Sequence, residues 1–266
     1  MEIRMDVSLD PTLGCGQAHR WVKKENKWEG VLGNEIIVLE QTEDGFECEG
    51  TSDRKMIENY FRADDDLDEI YEECASADSY VASLICGCKG LRILRQDPWE
   101  CLATYLLATN ANVKRIAMMV DNVCREFGND LGGRHSFPTP EEIIEKEENL
   151  QKCRLGFREK RFAELAHRVC DGNIVPEDIK KLDYEECVAA LLSINGVGPK
   201  VADCVALFSM DHLDAFPIDA RIEKVMREKY GAEGSYRKVS EFARKKFGRY
   251  CGYSQEFLYH SGCIRI

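Results

Sequence analysis

Residues 187–222, CVAALLSINGVGPKVADCVALFSMDHLDAFPIDARI, constrain the fold more than any other stretch of the chain. Apolar side chains recur at spacings that fit helices better than strands, first at Val188, Leu191, Leu192 and Ile194 and then at Val201, Val205 and Phe208. Between the two patterns lies Gly-Val-Gly-Pro. Glycine permits the backbone angles of a tight turn, and proline suits the first turn of a helix. The stretch therefore predicts a helix, a tight turn, a second helix and a short extended segment that leads into a third helix.

The predicted turn leaves a helix N-terminus uncovered beside glycine amides, which favours the binding of a phosphate. Gly196 and Gly198 are therefore candidate contacts to a nucleic-acid backbone. The pattern resembles a helix-hairpin-helix, a motif that grips the DNA backbone without reading its sequence. Taken alone, a Gly-Val-Gly turn fits a plain helix connector equally well.

Two residues near this turn suggest covalent chemistry. Lys200 falls in the first turn of the second helix, where the positive end of the helix dipole and partial burial both favour a neutral amine. A neutral lysine can attack a carbon atom and form a Schiff base. Asp219 precedes the third helix, so its carboxylate can cap that helix and stay ionised beside a reacting sugar. Singly, each residue also fits an ordinary role, as a solvated lysine or a capping aspartate.

The charge of the chain is unevenly distributed. The formal net charge is −12, and residues 40–80 hold fifteen Asp/Glu and three Lys/Arg, so 3 − 15 = −12 accounts for all of it. Residues 221–250 hold ten Lys/Arg and four Asp/Glu, a local 10 − 4 = +6. Because the local field decides where a polyanion docks, the acidic total does not exclude a DNA partner. Many of these charges also fit solvated helix faces.

The order of patterns predicts an α+β protein. Short strands are expected at 21–23, 28–32, 35–39 and 46–49, followed by an acidic helical segment. Asp97-Pro98 marks a boundary, beyond which helices are expected at 99–109, 113–127, 140–149, 158–171, 183–193, 199–210, 219–230 and 235–247. We therefore predict a small antiparallel-sheet α/β domain over 1–97 and a mostly helical domain over 98–266, with the helix-hairpin-helix at about 184–210. A glycine-interrupted loop is expected at 12–17. The chain start carries no signal-peptide pattern and no apolar run could span a bilayer, so an intracellular protein without membrane contact is expected.

Three further clusters are candidate DNA contacts. Asn110 and Arg115 lie around a predicted helix connection, where an amide and a guanidinium can pair with base edges or phosphates. Phe157 beside Arg158 suits insertion into a base stack. Gln255 and Tyr259 are four residues apart on one helix face, which suits an extruded base; these residues also fit a helix cap, a core aromatic and a plain amphipathic helix.

These motifs, in this order, resemble the 8-oxoguanine DNA glycosylase/lyase branch of the helix-hairpin-helix base-excision superfamily, in the form that retains the N-terminal α/β domain. The resemblance is strongest at 91–115, 155–158, 194–219 and 252–259. It implies that Lys200 is the nucleophile that attacks the anomeric carbon and that Asp219 stabilises the developing positive charge on the sugar. It also implies that the Gly16 carbonyl accepts the N7 hydrogen that distinguishes 8-oxoguanine from guanine. The other implied contacts to the extruded base are Cys204, Pro217, Gln255 and Tyr259.

On the opposite strand, the resemblance implies that Asn110, Arg115 and Arg158 hold the orphaned cytosine while Phe157 wedges the duplex. A tyrosine is usual at the position of Phe157 in eukaryotic relatives and a phenylalanine at that of Tyr259, so both substitutions preserve stacking. Arg221 replaces the usual histidine two residues after Asp219 and suits phosphate binding. The implied partner is double-stranded DNA containing oxidised guanine, bound by a monomer in the cytoplasm or nucleoid of a prokaryote or in a eukaryotic nucleus.

Thirteen cysteines are scattered through the sequence without zinc-ligand spacing. Some relatives in the superfamily hold an iron–sulfur cluster on four C-terminal cysteines, but only Cys251 and Cys263 lie in that region here. We expect reduced, mostly buried thiols, with no metal and no cofactor. The alternatives are a glycosylase of the same fold for other damaged purines, a non-catalytic helix-hairpin-helix DNA-binding protein, and a cysteine-rich metal or redox protein.

Overall fold

The N-terminal part of the chain builds one antiparallel sheet. The computed structural model describes residues 1–261. The strands are β1 (Glu2–Arg4), β2 (Val22–Lys24), β3 (Lys27–Leu32), β4 (Glu35–Thr42) and β5 (Gly45–Glu49), in the order β1-β5-β4-β3-β2. Leu32 pairs with Glu35 across a two-residue turn in which Gly33 has a φ of +55°. The four predicted strands are confirmed, and each end agrees within three residues. The sequence analysis did not predict β1, because three residues are too few to show a strand pattern.

The predicted loop over 12–17 is wrong in its first half, because helix α1 (Leu9–Gly14) covers it. Buried contacts with a distant segment stabilise this short helix. The Thr12 hydroxyl donates to the Gly90 carbonyl at 3.3 Å and accepts from the Arg92 amide at 3.1 Å. Only residues 15–17 remain outside the helix, and Gly16 there has a φ of +91° with open space above its α-carbon.

Thirteen further α-helices follow in the described chain. They are α2 (Arg54–Tyr60), α3 (Leu67–Ala77), α4 (Ser79–Ile85), α5 (Pro98–Leu107), α6 (Val113–Phe127), α7 (Pro140–Ile144), α8 (Glu159–Cys170), α9 (Pro176–Ile179), α10 (Tyr184–Leu192), α11 (Pro199–Ser209), α12 (Ala220–Tyr230), α13 (Tyr236–Phe247) and α14 (Cys251–Ser261). Side-chain caps on backbone amides begin α5, α6, α10, α12 and α13, at Asp97, Asn112, Asp183, Asp219 and Ser235. Because these caps are visible in the sequence, the predicted bounds of these helices agree with the observed ones within two residues.

The helix predicted over 140–149 is interrupted. A capping box between Thr139 and Glu142 begins α7, which ends at Ile144, and a 3₁₀ segment (Glu147–Cys153) follows. This segment packs against α6 through buried Leu150 and Cys153, and the Asn122 amide donates to the Cys153 carbonyl at 3.1 Å. Tertiary packing therefore overrides the local helical pattern.

The apolar interior has two parts. One lies against the sheet and includes Ile37, Leu39, Phe46 and Phe61. The other joins the C-terminal helices and also takes in α3 and α4, whose buried residues precede residue 97. Helix α14 packs against α3 and α4, and the Tyr253 hydroxyl donates to Asp65, just before α3, at 2.8 Å. The division of the chain at residue 97 stays a prediction. Within residues 1–261, no helix is long and apolar enough to cross a membrane.

Candidate active site

A cavity of about 770 Å³ opens where the N-terminus of α11, the segment before α12, helix α14 and the loop after α1 meet. Its volume is in the range of pockets that enclose small ligands, so it can accept a purine base. Nine of the residues that the sequence nominates line it: Gly16, Asn110, Gly198, Lys200, Cys204, Pro217, Asp219, Gln255 and Tyr259. These residues are far apart in the sequence, and the fold brings them to one place.

The turn before α11 uses its two glycines differently. Gly196 has a φ of +92°, and a β-carbon there would lie 2.6 Å from Cδ of Arg161 and 3.0 Å from Leu106. Gly198 is the N-cap of α11 without a side-chain cap, and the space above its α-carbon is open. Gly196 is therefore required by packing and geometry, while Gly198 leaves the helix N-terminus accessible from the cavity.

Lys200 is half-buried at the cavity wall, with Nζ 5.2 Å from the ring centroid of Tyr105. Interactions with Cys204, through charge and a hydrogen bond, and then with the charges of Asp219 and Glu256 raise the pKa of Lys200, and together they outweigh the opposing effect of burial. The expectation of a neutral amine is therefore wrong for the unliganded site. The helix dipole is a fraction of a charge, whereas several acidic groups surround the ammonium.

Asp219 caps α12, as the sequence predicts. Its carboxylate accepts hydrogen bonds from the amides of Arg221 at 3.0 Å and Ile222 at 2.8 Å. These hydrogen bonds orient the carboxylate toward the first turn of α12, and Asp219 also lines the cavity. The cap therefore fixes the position of the carboxylate relative to α11.

A buried network holds the segment that carries Asp219. The amide of Ile218 donates to the Tyr236 hydroxyl at 3.2 Å, and that hydroxyl donates to Asp203 at 2.6 Å. The Tyr184 hydroxyl donates to the other oxygen of Asp203 at 2.6 Å. Burial raises the pKa of Asp203 to about 6, against the hydrogen bonds from the two tyrosines. Sequence reasoning did not identify this network, because its members are apart in the chain.

The remaining walls of the cavity combine rings with polar groups. Burial raises the pKa of the Cys204 thiol to about 11, although the neighbouring Lys200 opposes the rise. Gln255 is buried, and its Oε1 has no hydrogen-bond partner. The guanidinium carbon of Arg221 lies 4.4 Å from the ring centroid of Tyr259, so Arg221 stacks on this aromatic side chain.

The lining residues that sequence reasoning missed include Cys15, His19, Tyr105 and Glu256. Burial first, and Lys200 second, lower the pKa of His19 to about 4, and its Nε2 has no hydrogen-bond partner. Burial raises the pKa of Glu256 to about 7, and its Oε2 is also unpartnered. The only available signal was adjacency, since Cys15 precedes Gly16 and Glu256 follows Gln255.

The other nominated DNA contacts lie outside the cavity lining. Phe157 is 56% exposed, and the guanidinium carbons of Arg158 and Arg161 lie 4.3 and 5.5 Å from its ring centroid. Arg158 is buried and donates through Nε to the Thr109 carbonyl at 3.0 Å, next to Asn110. This hydrogen bond joins the connection between α5 and α6 to the segment that precedes α8.

Positive charge is concentrated around this exposed ring. Nη2 of Arg115 donates to the Arg154 carbonyl at 2.7 Å. Burial, together with the neighbouring Arg115 and Arg161, lowers the pKa of Arg158. Asn110 and Arg154 adopt φ values of +51° and +57°, which are uncommon outside glycine and occur often at functional sites. Asn110, Arg115, Phe157 and Arg158 are therefore close together in the structure. They lie beside the part of the cavity that Asn110 lines.

Metal-binding groups are not apparent in this part of the chain. Among residues 1–261, no cluster of three or more His, Cys, Asp or Glu side chains could hold a metal ion. Ten of the twelve cysteines in that range are buried and all twelve are free thiols, while Cys86 and Cys170 are exposed. The prediction of mostly buried thiols is confirmed for them. Cys263 lies outside the described residues.

Comparisons with known proteins agree with this geometry. Residues 3–102 match the family described as the N-terminal domain of 8-oxoguanine DNA glycosylase. The N-glycosylase/DNA lyase OGG1 of Arabidopsis thaliana is 30% identical over 281 residues, covering 96% of this chain and 77% of that protein. The N-glycosylase/DNA lyase of Saccharomyces cerevisiae is also 30% identical, over 91% of this chain and 73% of its own length.

A solved structure matches the whole architecture. The Clostridium acetobutylicum 8-oxoguanine glycosylase/lyase, in complex with double-stranded DNA containing cytosine opposite 8-oxoguanine, superposes with a TM-score of 0.91 at 28% identity. The match covers 100% of this chain and 99% of that one. Since the similarity spans both the sheet and the helices around the cavity, the chain belongs to the 8-oxoguanine DNA glycosylase/lyase family.

Proposed function

We propose that this protein removes 8-oxoguanine from double-stranded DNA and then nicks the strand, with Lys200 as the nucleophile in both steps. The observation that carries the proposal is the shared cavity of Lys200, Asp219 and the base-contact candidates. Family membership supports the activity, and the geometry of the site supports the assignment of these residues to the reaction. The preference for cytosine and the Schiff base are parts of the proposal.

Catalysis begins with extrusion of the damaged nucleotide into the cavity. Flipping costs a few kcal/mol, which stacking and hydrogen bonds in the pocket offset. The free amine of Lys200 attacks C1′, and the bond from C1′ to the base breaks with its electron pair leaving on the base. Asp219 stabilises the positive charge that develops on the sugar in this step. The nitrogen lone pair then forms the C1′=N bond of a protonated imine as the C1′–O4′ bond breaks, and O4′ takes a proton. Loss of a proton from C2′ expels the 3′ phosphate by β-elimination, which breaks the strand 3′ to the lesion.

Lesion recognition rests on hydrogen bonds, because 8-oxoguanine differs from guanine by one oxygen and one hydrogen. The carbonyl of Gly16 accepts the N7 hydrogen, which guanine lacks. A site built for that hydrogen bond discriminates well, since the undamaged base leaves its acceptor unpaired. The unpartnered Oε1 of Gln255 supplies an acceptor at the base edge, while Cys204 and Tyr259 contact the faces of the ring and Pro217 lines the pocket.

The exposed cationic region serves the rest of the duplex. Phe157 inserts where the lesion leaves the stack, and Asn110, Arg115 and Arg158 contact the orphaned cytosine. Gly196 and Gly198 present the turn before α11 to a phosphate, and Arg221 adds positive charge beside the cavity. Since one chain supplies every residue of this site, we infer that the protein acts as a monomer.

Borohydride trapping tests this proposal. The substrate is a labelled duplex with 8-oxoguanine opposite cytosine, and the proteins are wild type, Lys200→Gln and Lys55→Gln. Lys55 is an exposed residue on α2, so its variant is the control. We expect a covalent band and a nick with wild type and Lys55→Gln, and neither with Lys200→Gln, which still binds the duplex.

Three results would contradict the proposal. A band with Lys200→Gln assigns the imine to another nucleophile. Binding without a wild-type band, and without abasic product after heat and alkali, indicates a non-catalytic DNA-binding protein. Faster release of alkylated purines than of 8-oxoguanine by wild type would assign the same fold to another lesion.

A further inference from the structure

Lys200 poses a problem for the proposed chemistry. Its acidic neighbours raise its pKa, so the amine carries a proton near neutral pH. An ammonium has no lone pair and cannot attack a carbon atom. Loss of this proton to solvent leaves only a small fraction of free amine near neutral pH, so a base in the cavity would speed formation of the bond to C1′.

The candidates are the three acidic side chains that raise the pKa of Lys200. The Cys204 thiol has a pKa of about 11, so only a small fraction of it is ionised at neutral pH. The carboxylate of Asp219 accepts both capping hydrogen bonds at Oδ1, and its proposed role is to stay negatively charged while positive charge develops on the sugar. Neither group is therefore both ionised and free to hold the proton while the sugar reacts.

Glu256 has both properties. It lies on α14 and lines the cavity, yet it is 4% exposed and its Oε2 has no hydrogen-bond partner. A buried polar atom without a partner is costly, so such atoms often mark functional positions. The acid is also positioned for exchange at neutral pH, since burial raises its pKa to about 7.

The groups that influence Glu256 come from every side of the cavity. The Cys15 thiol, from the loop after α1, lowers the pKa of Glu256 by hydrogen bonding, and Lys200 lowers it by its charge. Asp219 opposes them. The charge of Glu256 in turn raises the pKa of Tyr105 on α5 and of Cys204 on α11. Glu256 and Lys200 thus favour each other's charged form, which is the state that precedes proton transfer.

We propose that Glu256 is the proton acceptor for Lys200, which makes it a positioning and activating residue for the nucleophile. The Nζ–H bond breaks as one intervening water takes this proton and gives a proton to Oε2 of Glu256. The freed lone pair forms the bond to C1′ as the bond from C1′ to the base breaks, and the departing base takes a proton from solvent. The inference rests on the proposed role of Lys200.

The pH dependence of trapping follows from this assignment. In wild type, Glu256 must be ionised, so the rate of imine formation rises with pH through about 7. In Glu256→Gln the lysine must lose its proton to solvent. The increase in rate should therefore occur at higher pH, around the raised pKa of Lys200. We expect single-turnover excision to fall about 100-fold near neutral pH, and the deficit to shrink as the pH increases.

The experiment compares wild type, Glu256→Gln, Glu256→Asp and Glu148→Gln in single-turnover excision and borohydride trapping across this pH range. Glu148 is exposed in the 3₁₀ segment and does not line the cavity, so its variant controls for loss of one negative charge. Glu256→Asp retains an ionisable acid and should keep the rise near neutral pH at a reduced rate. Thermal melting and lesion-duplex affinity verify that the variants are folded and bind.

An unchanged pH profile and rate in Glu256→Gln would overturn the inference. So would a folded variant whose deficit is equal at every pH, since that pattern marks a purely structural role. If wild type itself gives no trapped band, the proposed function fails instead, and the two failures are therefore distinguishable.

Discussion

The cavity and the exposed cationic region around Phe157 are built on opposite principles. Cavity residues lie on or beside helices, and several are buried with unpartnered polar atoms, as in Gln255 and Glu256. Around Phe157, by contrast, the chain runs through connecting segments in which Arg154, and Asn110 at the edge shared with the cavity, have positive φ. There the polar groups of Arg115 and Arg158 are engaged with backbone carbonyls.

This difference suggests a division of labour. Unpartnered polar atoms in a low-dielectric cavity interact strongly with whatever enters, which suits discrimination and bond chemistry. An exposed ring among guanidinium groups suits insertion into a duplex and charge neutralisation. We therefore expect changes in the cavity to reduce the rate after binding, and changes around Phe157 to reduce binding itself.

Asp219→Asn should give the largest effect of this set. Asparagine is a good helix cap, so the stability of α12 should change little. Loss of the negative charge removes the proposed stabilisation of the sugar, and we expect single-turnover excision to fall about 100- to 1,000-fold. Affinity for the lesion duplex should be retained. Weakened binding with an unchanged rate would break the division between the two regions.

Phe157→Ala should reduce affinity for the intact lesion duplex by about 1–3 kcal/mol, the range measured for stacking of one base on an aromatic side chain. Folding should be unaffected, since the side chain is 56% exposed. A lesion placed in an unpaired bubble should be excised at nearly the wild-type rate. Phe242→Ala removes another exposed ring, on α13, and serves as the control. Equal losses on duplex and bubble would place Phe157 in the chemical step.

Asn110→Gly should have the narrowest effect, confined to the opposite base. Glycine accepts the φ of +51° that Asn110 adopts, so the connection between α5 and α6 should keep its shape. Loss of the amide should reduce the preference for cytosine over adenine opposite the lesion by about 1–3 kcal/mol. The measurement is the ratio of excision rates on the two duplexes. An unchanged ratio would remove Asn110 from recognition of the opposite strand.

Much of the fold could be read from local signals. The caps at Asp97, Asn112, Asp183 and Ser235 place helix starts in the sequence, and the structure has helices there. Local signals failed where distant contacts decide the backbone, as in α1, whose Thr12 bonds to Gly90 and Arg92. The early end of α7 has the same cause, because the next segment packs against α6.

The candidate site divides in the same way. Spacing and residue type were enough to nominate Lys200 and Asp219, since a hairpin, a reactive side chain and a cap are encoded within a few residues of one another. The roles of Gly16, Cys204 and Pro217 as base contacts came only from the family resemblance. The protonation of Lys200 was not accessible, because it depends on Cys204, Asp219 and Glu256 together. A pKa reflects the charges and the burial that surround a group in space.

The sequence by itself thus determined the helical hairpin, its turn and the residues able to do the chemistry, because these depend on neighbours along the chain. Only the tertiary structure decided that Cys15, His19, Tyr105 and Glu256 share a cavity with them, and that Tyr236 and Asp203 hold the segment before Asp219. Those relations join groups from separate elements, and their energies come from burial and through-space charge, which no local pattern encodes.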